Sequence, residues 1–145
     1  MKWQIVGAIM VLSTACSDQV SLSLGQNVSS QHLVFRLSAA HSENIPAARM
    51  SIFGVERQNC DSIRYSGESV WLIVAKDGLG PNPAPKVIVY GRLPDGYREE
   101  RSSTPLIPGC YTAGMQGPPQ RASLSFRVLS SGAIQILGTQ TQGRK

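Results

Sequence analysis

The stretch Ser123-Leu124-Ser125-Phe126-Arg127-Val128, followed by Ser130-Ser131-Gly132 and then Ile134-Gln135-Ile136, decides the fold. Apolar and polar residues alternate on both sides of a short polar break. Alternation of this kind marks strands with one buried face. Ser130-Ser131-Gly132 supplies the turn chemistry of a tight hairpin between them. The same pattern recurs upstream. Val20, Leu22 and Leu24 alternate with polar residues, as do Leu33, Phe35 and Leu37. Met50, Ile52 and Val55 follow, with Gly54 read as a bulge. Val70 to Ala75 is a continuous apolar run, the mark of a central strand covered on both faces. Val87 to Tyr90 is a shorter run.

Turn residues separate these runs. Leu93-Pro94-Asp95-Gly96 has proline, aspartate and glycine in turn order. Gly78 to Pro85 holds three prolines and two glycines and reads as a loop. Pro105 to Gly109 and Gly114 to Pro119 read as similar breaks. Residues 39 to 48 have room for one helical turn, limited by Pro46. Seven or eight short strands at this spacing predict an all-β chain. The expected form is one small β-sandwich of immunoglobulin-like type, with a small barrel as the alternative.

The N-terminus is organised differently. Lys2 precedes an apolar run from Ile5 to Leu12, and Ser13-Thr14-Ala15 leads to Cys16. That is the layout of a secretory signal peptide over residues 1–15. The run is too short to span a bilayer. Ending on cysteine, it also resembles a bacterial lipoprotein signal, in which Cys16 becomes the lipidated first residue. Ser13 stands where that pattern has leucine, and Leu12 lies one position early. Cleavage by an ordinary signal peptidase also leaves Cys16 first, without lipid. Residues 16–30 then form a tether or the first strand, and residues 31–145 the sandwich domain. The absence of aspartate after Cys16, where Ser17 stands, implies by analogy an outer-membrane anchor facing the periplasm.

With Cys16 lipidated, Cys60 and Cys110 remain as a pair in an oxidising compartment, where a disulfide forms. The alternative is two buried, unpaired thiols. A bridge over such a loop is worth about 4 kcal/mol in the chain-entropy account.

Charge and motifs exclude more than they assign. Removing residues 1–15 leaves 13 basic and 9 acidic side chains, a formal charge of +4. The charges are scattered, with no Lys/Arg run of the kind that binds nucleic acid. His32, His41 and Glu43 match no compact zinc spacing. No G-x-S-x-G elbow exposes a serine nucleophile. The glycines near Gly78 lack the lysine and hydroxyl of a phosphate loop. The expectation is therefore a non-enzymatic protein with no cofactor and no metal, which works by binding a protein partner. Two segments are candidate contact loops. One carries Gly78, Pro81 and Asn82 and is stiffened by proline. The other runs from Arg98 through Glu99 and Glu100 to Arg101 and is densely charged. Stiff loops lose less entropy on binding, and charged rims set on-rate and specificity.

A lipoprotein-like signal, one β domain, a cysteine pair and a late Pro108-Gly109-Cys110-Tyr111 stretch before a closing hairpin occur together here. In this layout the chain resembles small enterobacterial periplasmic lipoproteins described as type VI secretion immunity proteins. The resemblance implies a domain that binds and blocks a toxin delivered into the periplasm, and it transfers no contact residue. The alternative is a structural or assembly lipoprotein of an envelope secretion or pilus machine.

Overall fold

A computed structural model of the chain describes residues 20–39, 49–61, 67–81, 84–117 and 120–142. Nine strands form, and no helix is present among the described residues. They are β1 (Val20–Leu24), β2 (Val34–Ala39), β3 (Ile52–Gln58), β4 (Glu68–Ala75), β5 (Val87–Val89), β6 (Tyr97–Arg101), β7 (Gly109–Gly117), β8 (Gln120–Val128) and β9 (Ile134–Gln142). Two antiparallel sheets face each other, a three-stranded one in the order β1-β2-β5 and a six-stranded one in the order β6-β4-β3-β7-β8-β9. The fold is a small β-sandwich, not a closed barrel. The three-and-six division of strands differs from that of immunoglobulin domains.

Alternation builds the core. Phe53, Val55, Trp71, Ile73, Tyr111, Met115, Leu124, Phe126 and Val128 point inward from the large sheet and are buried. Val20, Leu22, Phe35, Leu37 and Ile88 meet them from the small sheet. Phe35 is the plug between the layers, with its ring centroid 5.2 Å from Phe53 and 6.1 Å from Phe126. Phe53 continues edge-on to Trp71 at 5.8 Å, and Trp71 to Tyr90 at 5.3 Å. Such tilted and edge-to-face pairs add to the burial energy of the rings.

Several local expectations change. Nine strands replace seven or eight, because β6 and β7 carry little alternation. Gly54 is a regular ladder position opposite Leu72 and Gly114; the irregularity falls between Val55 and Glu56. Val70 to Ala75 is not covered on both faces, since Leu72 and Val74 point to the outer side and are only half-buried. Gly114 to Gly117 is not a break but the second half of β7, and Gly109 opens the same strand. Ladder bonds on both sides, to β3 and β8, hold β7 extended despite its glycines. The expected hairpin forms, with β8 and β9 antiparallel and Gly132 at φ 83° where its N–H donates to Leu129 O at 2.9 Å. Val20–Leu24 forms β1, paired with β2. The signal segment with Cys16, and residues 40–48 with His41 and Glu43, lie outside the described residues.

Candidate binding surface on the outer sheet face

The inner face of the six-stranded sheet is core. Its outer face has no second layer over it among the described residues, and the register shows what lies there. One row across the strands reads Leu72, Gly54, Gly114, Ser123, Gln140. The next reads Val74, Ile52, Gln116, Arg121, and on the other side Ser69, Glu56, Thr112, Ser125. Two adjacent glycines in the middle row leave a trough where side chains would otherwise stand. A methyl group placed on Gly114 would meet nothing closer than Ala122 O at 3.9 Å. Over Gly54 the Leu72 side chain leans in, 3.2 Å from such a methyl.

The result is an open groove of about 440 Å³, floored by Gly54 and Gly114 and walled by Ile52, Leu72, Gln116 and Ser123. Glu56 supplies its acid at one end and Arg121 its base at the other. Two strand spacings and four residues separate them, roughly 16 Å. Thr112 Oγ1 and Ser125 Oγ hydrogen-bond to each other at 3.0 Å. Beside the Glu56 end, Gln58 Oε1 and Ser69 Oγ are buried without a hydrogen-bond partner among the described residues. Buried polar atoms of this kind call for a partner.

A disulfide lies one row beyond the Glu56 end of the groove. Cys60 and Cys110 are bonded, with Cα atoms 5.2 Å apart across 50 residues of chain. Cys110 lies opposite Gln58 in the ladder, so the bridge ties the chain leaving β3 to the start of β7. No three His, Cys, Asp or Glu side chains converge as a metal cluster among the described residues. No described helix is long and apolar enough to cross a membrane.

The two expected contact loops lie side by side, away from the groove floor. Gly78 and Pro81 follow β4 in a loop that is held from within. Asp77 Oδ1 accepts the N–H groups of Gly80 at 2.7 Å and Leu79 at 3.0 Å. Those donors hold the Asp77 carboxyl below its ordinary value. Gly80 has φ 86°, and a side chain there would run into Met50 O. Asn82 lies outside the described residues. Arg98 and Arg101 are not in a loop. They belong to β6, the edge strand beside β4, which tolerates charge because its far side meets solvent. The loop reaches β6 directly, through Lys76 N–H donating to Gly96 O at 2.9 Å.

Side-chain contacts secure β6. Tyr97 is buried, and its hydroxyl donates to Met50 O at 2.7 Å. Burial, helped by the charge of Asp77, pushes its pKa up to about 12. Trp71 Nε1 donates to Glu99 Oε1 at 3.0 Å. Arg98 and Glu100 form an exposed ion pair at 2.8 Å.

The groove was not among the expected sites. Of its two floor glycines only Gly54 lies in a run that reads as strand; Gly114 reads as the start of a break. A glycine in a strand interior often marks a place where a ligand or another backbone comes close. Only the register shows that Gly54 and Gly114 are neighbours. No family model, no curated protein and no solved structure matches the chain.

Proposed function

We propose that this chain is an exported, lipid-anchored envelope protein that works by binding another protein, in the manner of an immunity protein that blocks a secreted toxin. The observation that carries the reading is the outer-face groove. Its floor is rigid backbone paired on both sides, its walls mix aliphatic and amide or hydroxyl groups, and its acid and base stand at opposite ends. A general base must lie within hydrogen-bond reach of its nucleophile. Thr112 Oγ1, on the residue opposite Glu56 in the ladder, is hydrogen-bonded to Ser125 Oγ instead. A surface that is apolar in patches, ready-formed and edged with polar groups suits recognition.

The test is to fill the trough. Gly114→Trp has room for its Cβ, 3.9 Å from Ala122 O, and directs an indole to the groove side of β7. The expected outcome is an unchanged melting temperature and loss of a stoichiometric protein that co-purifies with the wild-type chain from its native envelope. A partner retained by the variant removes the groove from the reading. Turnover of an envelope substrate by the purified chain overturns the reading itself.

A further inference from the structure

The six-stranded sheet ends on β9, and this edge is open among the described residues. Among the described strands β9 pairs in the ladder with β8 alone. Ser29 bridges to Ala133 and closes the edge at its start; from Ile134 onward no described strand lies beyond it. Ile136 is 56 % exposed and Leu137 42 %, side by side at the irregularity in the β8–β9 ladder. No residue from Ile134 to Gln142 is charged, and none is proline. Proteins normally blunt such an edge with charge, proline or a covering element, because exposed N–H and C=O groups template another strand.

The surroundings say what kind of strand fits. Every acidic residue of the chain lies at or before Glu100. From residue 102 to the end the only charges are Arg121, Arg127, Arg144 and Lys145. Arg121 and Arg127 stand on β8, on the groove side of the sheet, opposite Gln142 and Gln135 of β9. They flank the neutral edge strand about 20 Å apart at strand rise. Neither forms an ion pair among the described residues.

We infer that the β9 edge, Ile134–Thr139, accepts an extended segment of another protein whose uncharged middle is flanked by acidic side chains, paired as a seventh strand of the sheet. This rests on the protein-binding reading and specifies its partner. Main-chain bonds to β9 supply affinity, and the spacing of the acids against Arg121 and Arg127 supplies specificity. The added strand would lie about 10 Å from β8, within the combined reach of arginine and glutamate side chains across β9. A second copy of this chain fits worse. Self-pairing would bring together two edges whose nearest charges, Arg121 and Arg127, are both positive, and like charges oppose association.

Two peptides of alternating threonine and valine test this, one with glutamates placed about six residues apart and one with lysines there. Hydrogen exchange of the full chain is followed with each. The glutamate peptide is expected to slow exchange across Ile134–Thr139 about tenfold or more, and the lysine peptide to have little effect. The double variant Arg121→Glu, Arg127→Glu should reverse the preference. Ile136→Asp, at an exposed position, should abolish protection while the melting temperature holds. Equal protection by both peptides overturns the proposal, as does no protection of β9 by either. So does a concentration-dependent dimer with β9 protected in the absence of peptide, which would assign the edge to a second copy. Protection confined to β3 and β7 removes the edge proposal and leaves the groove as the protein-binding surface.

Discussion

Strands β6 and β9 close the two ends of one sheet. β6 is five residues long, and four of them are charged. Its first residue, Tyr97, is pinned to Met50 O, and Glu99 turns toward the inner side to accept the Trp71 indole N–H. An inward-pointing carboxylate on an edge strand is one of the devices that prevent edge-to-edge pairing. β9 is nine residues long, uncharged, and exposed along Gln135 to Gln140. It is held by the ladder to β8, by contacts with β1 of the other sheet and by the partial packing of Ile134 on the core. One edge is built to stay single. The other has the composition of an interior strand and no neighbour beyond it among the described residues. Position in a sheet does not by itself decide whether an edge is available; side-chain chemistry does.

The largest difference should appear on truncation. Tyr97→Ala removes a buried ring and leaves Met50 O unpaired, and is expected to cost about 3–5 kcal/mol in denaturant unfolding. Ile136→Ala on the opposite edge should change stability by less than about 0.5 kcal/mol. Equal costs would show that β9 is as firmly built in as β6. Reduction of Cys60–Cys110 should lower stability by up to about 4 kcal/mol, the chain-entropy ceiling for such a loop. Because Cys110 is the second residue of β7, between the two edges, both should loosen together in hydrogen exchange. Loosening of one side alone would mean that the bridge serves that side only.

Alkali should also separate the edges. The folded-state pKa of Tyr97 is raised to about 12, above its ordinary value of 10.0. The neutral form is favoured by folding, so its contribution is fully present below pH 10 and is lost as pH rises through 12. Stability should fall in that window, and Tyr97→Phe should flatten the fall. A pH profile unchanged by Tyr97→Phe would place the titration elsewhere. Smaller still, Glu99→Ala should cost about 1 kcal/mol for the lost indole bond. Arg98→Ala should cost less than about 0.5 kcal/mol, because its ion pair with Glu100 is exposed. An Arg98 cost as large as that of Glu99 would show that the surface pair, not the inward carboxylate, guards the edge.

Most strands were legible in the chain itself. β1, β2, β3, β4, β5, β8 and β9 all carry apolar runs, and the Ser130-Ser131-Gly132 turn joins the last two. Period-two alternation is a local property, because it only requires one face of a strand to be buried. β6 was hidden because its edge position admits Arg98, Glu99, Glu100 and Arg101 in place of an alternating pattern. β7 was hidden because Gly109, Gly114 and Gly117 resemble turn residues, and what holds them extended is pairing with strands far away in sequence. The all-β class thus followed from local pattern, and the Cys60–Cys110 pair from counting the cysteines beyond Cys16. The groove, the charged placement of β6 and the open edge of β9 depend on which strands are neighbours. A one-residue change of register would turn Gly54 and Gly114 toward the core. That order is set by how Phe35, Phe53, Trp71 and Phe126 pack between the layers, a three-dimensional fit that no local pattern encodes.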